Sequence, residues 1–487
     1  MDFIGKALGA LGYFGTAIVT FPADVAADGT VLIQFANRKF KEASINAVQE
    51  LFTAVLERFP TVLPGLSTGL LLTTTENLIK AVVNALIVQI GGLSTINNTV
   101  TSNEINKATL ALIWRDSAEL GKFLVGLLDP IKCYVLANSG SGIAAPSEEH
   151  GTDNELDLTD PMNRHAVICQ FQRLVRSVVF ILTNMTQDTI QAIDIIPQTK
   201  LLSDDQTPGD IMEPSSPTSA MMPQEKWIFV NGIAGELWWL KVACRKLATK
   251  YRRDVTGVFN RGDGILWDLI ECAGERSLHG SERAASQRQL IQRTASSNNA
   301  QVALRSKLEE ALAAEGDEKI VVIAHSQGCL LLRLALEDIL VGRTSFFPAS
   351  TRTESDLETY AWARQKMRSQ LYVFTFGNPS VDWRLETTDI TQSEFGTYIS
   401  RQDPAYLSSY VYRTEHFAND QDFVAKLGVL SSSRPADSGY SNVFINDRPT
   451  WIGHLFGTQY SLDPTHYQPN GQISRLLTCV PGQPIPV

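Results

Sequence analysis

Residues 319–340 read Lys-Ile-Val-Val-Ile-Ala-His-Ser-Gln-Gly-Cys-Leu-Leu-Leu-Arg-Leu-Ala-Leu-Glu-Asp-Ile-Leu, which combines a strand pattern, a tight turn and a helix pattern. The run Ile320–Ala324 is apolar and mostly β-branched, which predicts a strand buried on both faces of a parallel sheet. In the helix the apolar positions recur at helical spacing, and Arg333 and Glu337 fall four residues apart on a narrow face that we expect to be solvated. Only residues 325–328 separate the strand from the helix.

Ser326 lies at the apex of this turn, which has the pattern of a nucleophile elbow. The serine backbone is strained in such an elbow, so the residues two before and two after it must be small. Ala324 and Gly328 meet that demand, although the usual first glycine is replaced by alanine. The turn lifts the Ser326 hydroxyl clear of the sheet and aims the N-terminus of the next helix at it, which favours developing negative charge.

The part of the chain around this turn alternates strand and helix patterns, as a largely parallel sheet requires. Strand patterns occupy Trp227–Asn231, Val255–Asn260, Leu371–Phe376 and Tyr410–Phe417. Helical patterns occupy Glu236–Tyr251, Gly264–Arg276 and Ala300–Ala314. The predicted fold class is therefore α/β, a mostly parallel sheet flanked by helices.

Two polar segments divide the chain into regions. Residues 1–200 have helical spacing and predict an all-helical N-terminal region, interrupted by a linker at about 138–162 that is rich in Gly, Ser, Pro and acidic residues. Residues 201–225 contain several prolines and predict a second linker, and 226–487 form the α/β domain.

Composition excludes some classes of function. The chain has 44% hydrophobic and 19% charged residues and a net charge of -10, without a Lys/Arg cluster, so we expect no nucleic-acid partner. Six scattered cysteines have no metal-type spacing and predict buried thiols rather than a metal site.

The N-terminus is only weakly signal-like. Residues 7–21 are uncharged, but Asp2 precedes a single Lys6, so we interpret the run as a buried or interfacial helix and expect an intracellular protein. The N-terminal helices are a candidate for peripheral contact with a membrane or for a cap over the substrate.

A serine nucleophile needs a histidine base and an acid that orients it, and in this fold they follow in the order Ser, acid, His. His454 is the preferred base because Gly453 suggests a loop that presents its side chain; His466 is the alternative. Asp422 is the preferred acid, with Asp420 and then Asp382 as competitors.

Two further predictions concern the neighbours of Ser326. Strand alternation should turn the His325 side chain away from the nucleophile, so we interpret His325 as a packed or hydrogen-bonded residue. An oxyanion requires two backbone N–H donors. Gln327, directly after the serine, is one candidate, and Ile233, in the glycine-containing loop after the first strand, is the other.

Four motifs together resemble α/β-hydrolases, and are most similar to lipase class 3 and to lipase-like proteins of fungi. They are Ala-His-Ser-Gln-Gly (324–328), Thr-Phe-Gly-Asn-Pro (375–379), Asn-Asp-Gln-Asp-Phe-Val-Ala (419–425) and Gly-His-Leu (453–455). The resemblance covers roughly 226–470 and implies an α/β-hydrolase fold. One departure is Asn231-Gly232, where many relatives carry His-Gly.

The resemblance also implies an activity: hydrolysis of a carboxylic ester by Ser326, Asp422 and His454 through an acyl-enzyme, without cofactor or metal. The apolar surroundings of the turn favour a lipid-like substrate. Two alternatives stay open, which are acyl transfer with the same three residues and a catalytically silent binding protein of the same fold.

Overall fold

The computed structural model describes residues 155, 162–163, 166, 211–212, 225–262, 265, 268–269, 271–272, 295–340, 354–385, 406–432, 434–447, 454–468 and 471–487. The elements discussed below belong to one compact unit, which comprises Glu148–Glu155, Leu202–Asp263 and Glu271–Val487. The predicted helical region 1–200, with its signal-like start and its linker, lies outside the described residues except for residues 155, 162–163 and 166.

A seven-stranded sheet forms the centre of this unit. Its strands are β1 (Ile211–Met212), β2 (Glu225–Val230), β3 (Val255–Val258), β4 (Lys319–His325), β5 (Leu371–Phe376), β6 (Arg413–Asn419) and β7 (Val443–Asn446). They lie in the order β1-β3-β2-β4-β5-β6-β7. Strands β2 to β7 are all parallel, and β1 pairs antiparallel with β3 at one edge. The carboxyl ends of the six parallel strands therefore meet at one edge of the sheet, where α/β proteins place their sites.

Helices cover the sheet. They are α1 (Leu237–Tyr251), α2 (Ala295–Ala313), α3 (Gln327–Leu340), α4 (Glu354–Gln370) and α5 (Phe423–Leu427), with 3₁₀ helices at Leu407–Tyr410 and Pro464–His466. Alternate residues of β4 enter two separate cores. Ile320 and Val322 pack with α2 and α3, whereas Val321 and Ile323 pack with α1. No described helix has the length and apolarity needed to cross a bilayer.

The central strands and helices agree with the sequence patterns. Strand β5 has the predicted bounds, and β2, β3 and β4 overlap their predicted runs, so the α/β class is confirmed. The pattern at Tyr410–Phe417 resolves into the end of a 3₁₀ helix and the first part of β6. Helices α4 and α5 and strand β7 were not predicted, and β1 lies within the segment 201–225 that was predicted to be a linker.

The expected solvated face of α3 was wrong. Arg333 is 1% exposed and Glu337 is 4% exposed. The Arg333 guanidinium lies 3.4 Å from the Glu337 carboxyl group and 3.6 Å from that of Asp382, which follows β5. The charges are buried because they pair with one another, which offsets part of the cost of removing them from water.

Candidate active site

The turn between β4 and α3 has the strained geometry of an elbow. Ser326 has a φ of 56°, in the left-handed region that residues with a side chain rarely adopt. Two backbone hydrogen bonds hold it there. The Ser326 N–H donates to Phe376 O of the neighbouring strand at 2.7 Å, and the Cys329 N–H donates to Ser326 O at 2.8 Å. The strain is thus maintained by β5 on one side and by the first turn of α3 on the other.

Gly328 shows why the turn needs a small residue two positions after the serine. A Cβ at Gly328 would lie 2.7 Å from Asn231 O and 2.8 Å from Val230 O. Any side chain would therefore collide with the backbone at the end of β2. The steric rule that identified the turn in the sequence has a direct physical cause here.

Asp422 lies beyond the carboxyl end of β6 and caps helix α5. Its Oδ1 accepts from Val424 N at 2.9 Å, as an N-cap carboxylate does. The side chain is fully buried. An N-cap is the ordinary role of an aspartate in this position, but it uses only Oδ1 and leaves Oδ2 for other donors.

His454 meets that second oxygen. Its Nδ1 lies 2.7 Å from Asp422 Oδ2, and its ring is buried, with 3% exposure. An ionised carboxylate only accepts, so Nδ1 carries the proton and donates it. In the neutral ring, Nε2 then has the lone pair. The structure therefore brings the predicted acid and the predicted base into direct contact and sets the tautomer of the base.

Two residues close to Ser326, His325 and Gly377, lie against the pair of His454 and Asp422. His325, which precedes Ser326, lies with its ring centroid 4.6 Å from that of His454. A Cβ placed on Gly377, directly after β5, would lie 2.9 Å both from Asp422 Oδ2 and from His454 Cε1. Among the described residues Ser326 Oγ has no hydrogen-bond partner, so no hydrogen bond joins it to the His454 ring.

The loop after β2 lies directly against the serine. A Cβ on Gly232 would fall 2.2 Å from Ser326 Cβ and 2.9 Å from Ser326 Oγ. Only a glycine permits this approach. Ile233 follows Gly232 and is 9% exposed. Gln327 follows Ser326 directly and begins α3. Both predicted oxyanion donors therefore belong to segments that touch the serine.

The competing acids and the competing base lie in other surroundings. Asp382 pairs with Arg333, and Asp420 accepts from the side chain of its neighbour Gln421 at 3.0 Å. His466 ends a 3₁₀ helix that Asp463 caps by accepting from Thr465 N at 2.8 Å.

Sequence reasoning missed one member of the cluster, Tyr460. Its Oη donates to Asp422 Oδ2 at 2.6 Å and accepts from Asn419 N at 3.2 Å. Burial raises the pKa of Tyr460, and the nearby Asp422 raises it further. The hydroxyl therefore keeps its proton and remains a donor. A buried tyrosine needs a partner for its hydroxyl, but no sequence signal identifies a carboxylate as that partner.

His325 was expected to be a packed or hydrogen-bonded residue, and it is. Its Nε2 lies 2.7 Å from His454 O, and because a carbonyl only accepts, His325 is the donor. Burial lowers the pKa of His325 well below its usual value, and the charge interaction with His454 lowers it further. What the alternation rule did not predict is the partner. The neutral His325 ring holds the backbone of the residue predicted to be the base.

Comparisons with known proteins give no further guide. No protein-family model matches the chain, and neither the curated proteins nor the solved structures contain a significant match. In the described part of the chain, no group of three or more His, Cys, Asp and Glu side chains has a geometry that could hold a metal ion.

Proposed function

We propose that this protein is a serine hydrolase of the α/β-hydrolase type that cleaves carboxylic esters. Ser326 is the nucleophile, His454 the base and Asp422 the acid that orients it. The observation that carries the proposal is the 2.7 Å hydrogen bond between His454 Nδ1 and Asp422 Oδ2, beside a serine held at a φ of 56°. The order Ser, Asp, His along the chain is the order of the resembling family.

The reaction follows from the tautomer of His454. With Nδ1–H donated to Asp422, the Nε2 lone pair takes the Ser326 hydroxyl proton as Oγ attacks the ester carbonyl carbon. The carbonyl oxygen becomes an oxyanion, which the Ile233 and Gln327 N–H groups stabilise. Collapse of this intermediate breaks the C–O bond to the alcohol, which leaves with the proton from Nε2. Water then repeats the same steps on the acyl-serine and releases the acid.

The strained turn and its helix supply the rest of the chemistry. Because Ser326 sits at the start of α3, a negative charge near Oγ faces the N-terminus of a 14-residue helix. The helix itself is wholly buried, so this field acts in a medium that screens it little. The apolar composition of the segment around the turn supports an ester with a lipid-like acyl chain as substrate.

Labelling with a fluorophosphonate tests the nucleophile. The wild-type chain should be labelled and Ser326→Ala should not. Ser369→Ala is a matched control, because Ser369 is exposed on α4 and bonds only backbone oxygens of its own helix. It should be labelled like wild type. Equal labelling of wild type and Ser326→Ala would contradict the proposal.

A further inference from the structure

A buried chain of polar side chains lies behind the loop 231–235 and has no part in the reaction described above. Its members come from the ends of β2 and β3, from the start of α3, from α2 and from the segment before α2. All are at most 8% exposed: Asn231, Asn260, Gln327, Glu271 and Ser297. Buried amides and carboxyl groups cost free energy unless they are hydrogen-bonded, and here they bond one another.

The first link joins Asn231 to Asn260. The Asn231 side chain donates to Asn260 O at 2.6 Å and accepts from Asn260 N at 2.8 Å. This pair of bonds continues the ladder between β2 and β3 beyond its last pair, Val230 and Val258. Gly235 has no room for a side chain beside this pair, because an added Cβ would lie 1.9 Å from Asn231 Nδ2.

The second link connects Asn260 to both sides of the serine. Its Nδ2 donates to Gln327 Oε1 at 2.7 Å and to Gly232 O at 3.4 Å. Asn231 Nδ2 also donates to Gly232 O, at 3.3 Å. Since a backbone carbonyl can only accept, the Asn260 amide must present its NH₂ group to Gly232.

The direction of the Gln327 amide is fixed at its other end. Gln327 Nε2 donates to Glu271 Oε2, and the same oxygen accepts from Ser297 Oγ at 2.8 Å. Gln327 Oε1 therefore faces Asn260 and accepts from it. The chain has one consistent donor direction, from Asn260 through Gln327 to Glu271.

The consequence concerns one peptide bond. No cis peptide bond occurs among the described residues, so in the planar unit between Gly232 and Ile233 the C=O and the N–H point in opposite directions. The side-chain amides of Asn231 and Asn260 both donate to the Gly232 carbonyl and so hold it directed toward Asn260. We infer that Asn231 and Asn260 are positioning residues that lock this peptide and thereby aim the Ile233 N–H at the oxyanion. The inference rests on the proposed ester hydrolysis.

The experiment compares Asn260→Ala and the isosteric Asn260→Asp with wild type. Asp would put an oxygen in place of Nδ2, opposite both Gly232 O and Gln327 Oε1, so it removes the lock without removing volume. Asn442→Ala is the matched control, because Asn442 Nδ2 also donates to a backbone carbonyl, Thr414 O at 2.8 Å, at the opposite end of the sheet. The measurements are kcat and KM for a p-nitrophenyl ester, the Ki of a trifluoromethyl ketone, and the melting temperature.

The expected result for both Asn260 variants is a kcat about 10- to 100-fold lower, which is less than the loss on deleting a whole donor. KM should stay within about 2-fold, because the lock acts on the tetrahedral species. Affinity for the ketone, which forms a tetrahedral adduct, should fall in parallel with kcat/KM. Asn442→Ala should keep wild-type kcat even where its melting temperature falls.

Three outcomes would overturn the inference. The first is an unchanged kcat in both Asn260 variants. The second is a loss of kcat in Asn442→Ala equal to that in the Asn260 variants. The third is loss of the folding transition in both Asn260 variants, which would assign the chain of side chains to folding. Failure of the proposed function is distinct from these, since wild type itself would then show no turnover that Ser326→Ala removes.

Discussion

Tyr460 donates a hydrogen bond of 2.6 Å to Asp422 Oδ2, the same oxygen that accepts from His454 Nδ1 at 2.7 Å. Asp422 Oδ1 accepts in turn from Val424 N at 2.9 Å. A fully buried carboxyl group thus has three donors, which offsets the cost of removing its charge from water. Because two of the donors fix Oδ2, the orientation of the His454 ring depends on Tyr460 as well as on Asp422.

Tyr460→Phe should lower kcat/KM about 10-fold. This factor corresponds to about 1.5 kcal/mol, the free energy that a hydrogen bond to a charged group contributes. Burial and Asp422 raise the pKa of Tyr460, so the hydroxyl keeps its proton at and above neutral pH. The ratio of wild-type to variant kcat/KM should therefore stay constant between about pH 6 and pH 9. Steady-state kinetics across that range measure it.

Tyr467→Phe is the control for this prediction. Tyr467 is also buried, and its hydroxyl donates to a backbone oxygen, Ser461 O at 2.9 Å. Its loss should reduce stability to a similar extent and leave kcat/KM near the wild-type value. Equal kinetic losses in the two variants would show that the hydroxyl of Tyr460 acts only on stability.

Gly377→Ala should abolish activity. Gly377 has a φ of 62°, and an added Cβ would lie 2.9 Å from both Asp422 Oδ2 and His454 Cε1 and 3.0 Å from Tyr460 Oη. Left-handed backbone costs an alanine about 1–2 kcal/mol. The collision with the hydrogen-bonded cluster adds a displacement of the base, to which catalysis is sensitive at the level of 1 Å.

Gly316→Ala separates these two effects. Gly316 has a φ of 96°, and nothing lies within 4 Å of its added Cβ. This variant carries backbone strain without a collision, so its melting temperature should fall while its kcat stays unchanged. Retained turnover in Gly377→Ala would contradict the placement of the cluster around residue 377.

The parts of the structure that follow from local rules were predicted from the sequence. Strand β5 is apolar except for Thr375 and is buried along its whole length, and it has the predicted bounds. The turn at Ser326 follows from the demand for small neighbours. By contrast β7 has only four residues, and the first three are apolar in a row, so its sequence has neither the length nor the apolar–polar alternation of a recognisable strand.

The contacts that orient the site could not be predicted from the sequence, because they join residues far apart in the chain. Tyr460 and Asp422 are 38 positions apart, and Gln327 and Glu271 are 56 positions apart. A polar residue in a sequence does not show which distant group its hydrogen bonds will reach. The solvated face expected for α3 failed for the same reason, since Asp382, which pairs with Arg333, comes from another segment.

Acid should destabilise the protein through buried neutral histidines. Burial and, to a smaller extent, the charge of Arg434 together lower the pKa of His416 from 6.5 to about 3. Below about pH 6.5 the unfolded chain binds a proton that the folded chain does not, so stability falls as the pH falls. The slope approaches about 1.4 kcal/mol per pH unit for this residue and ends as the pH nears about 3.

His416→Gln should remove that contribution. The glutamine amide can still bond Thr375 Oγ1, which lies 2.6 Å from His416 Nδ1, but it cannot take up a proton. Urea unfolding at pH 7, 6, 5 and 4.5 gives the free energy of unfolding for both proteins. The free energy of unfolding of the variant minus that of the wild type should increase as the pH falls. Parallel curves would show that His416 does not titrate on unfolding in this range.

Lys246 on α1 holds the turn that follows His454. Its Nζ lies 2.6 Å from Glu155 Oε2, 3.0 Å from Thr458 Oγ1 and 3.5 Å from Phe456 O. The side chains of Lys246 and Glu155 are 11% and 8% exposed, so this is a largely buried ion pair. We expect it to have two separable effects, one on stability and one on the position of His454.

Lys246→Met should cost about 3–5 kcal/mol, because it leaves the Glu155 carboxyl group buried without its cation. It should also lower kcat, since the turn at 456–460 loses two contacts. Adding Glu155→Leu removes the unpaired charge, so the double variant should recover most of the stability while kcat stays low.

Lys307→Met is the control. It breaks an exposed pair with Glu310, so it should change stability by less than about 1 kcal/mol and leave kcat unchanged. Recovery of kcat together with stability in the double variant would mean that Lys246 only neutralises Glu155 and does not position the turn.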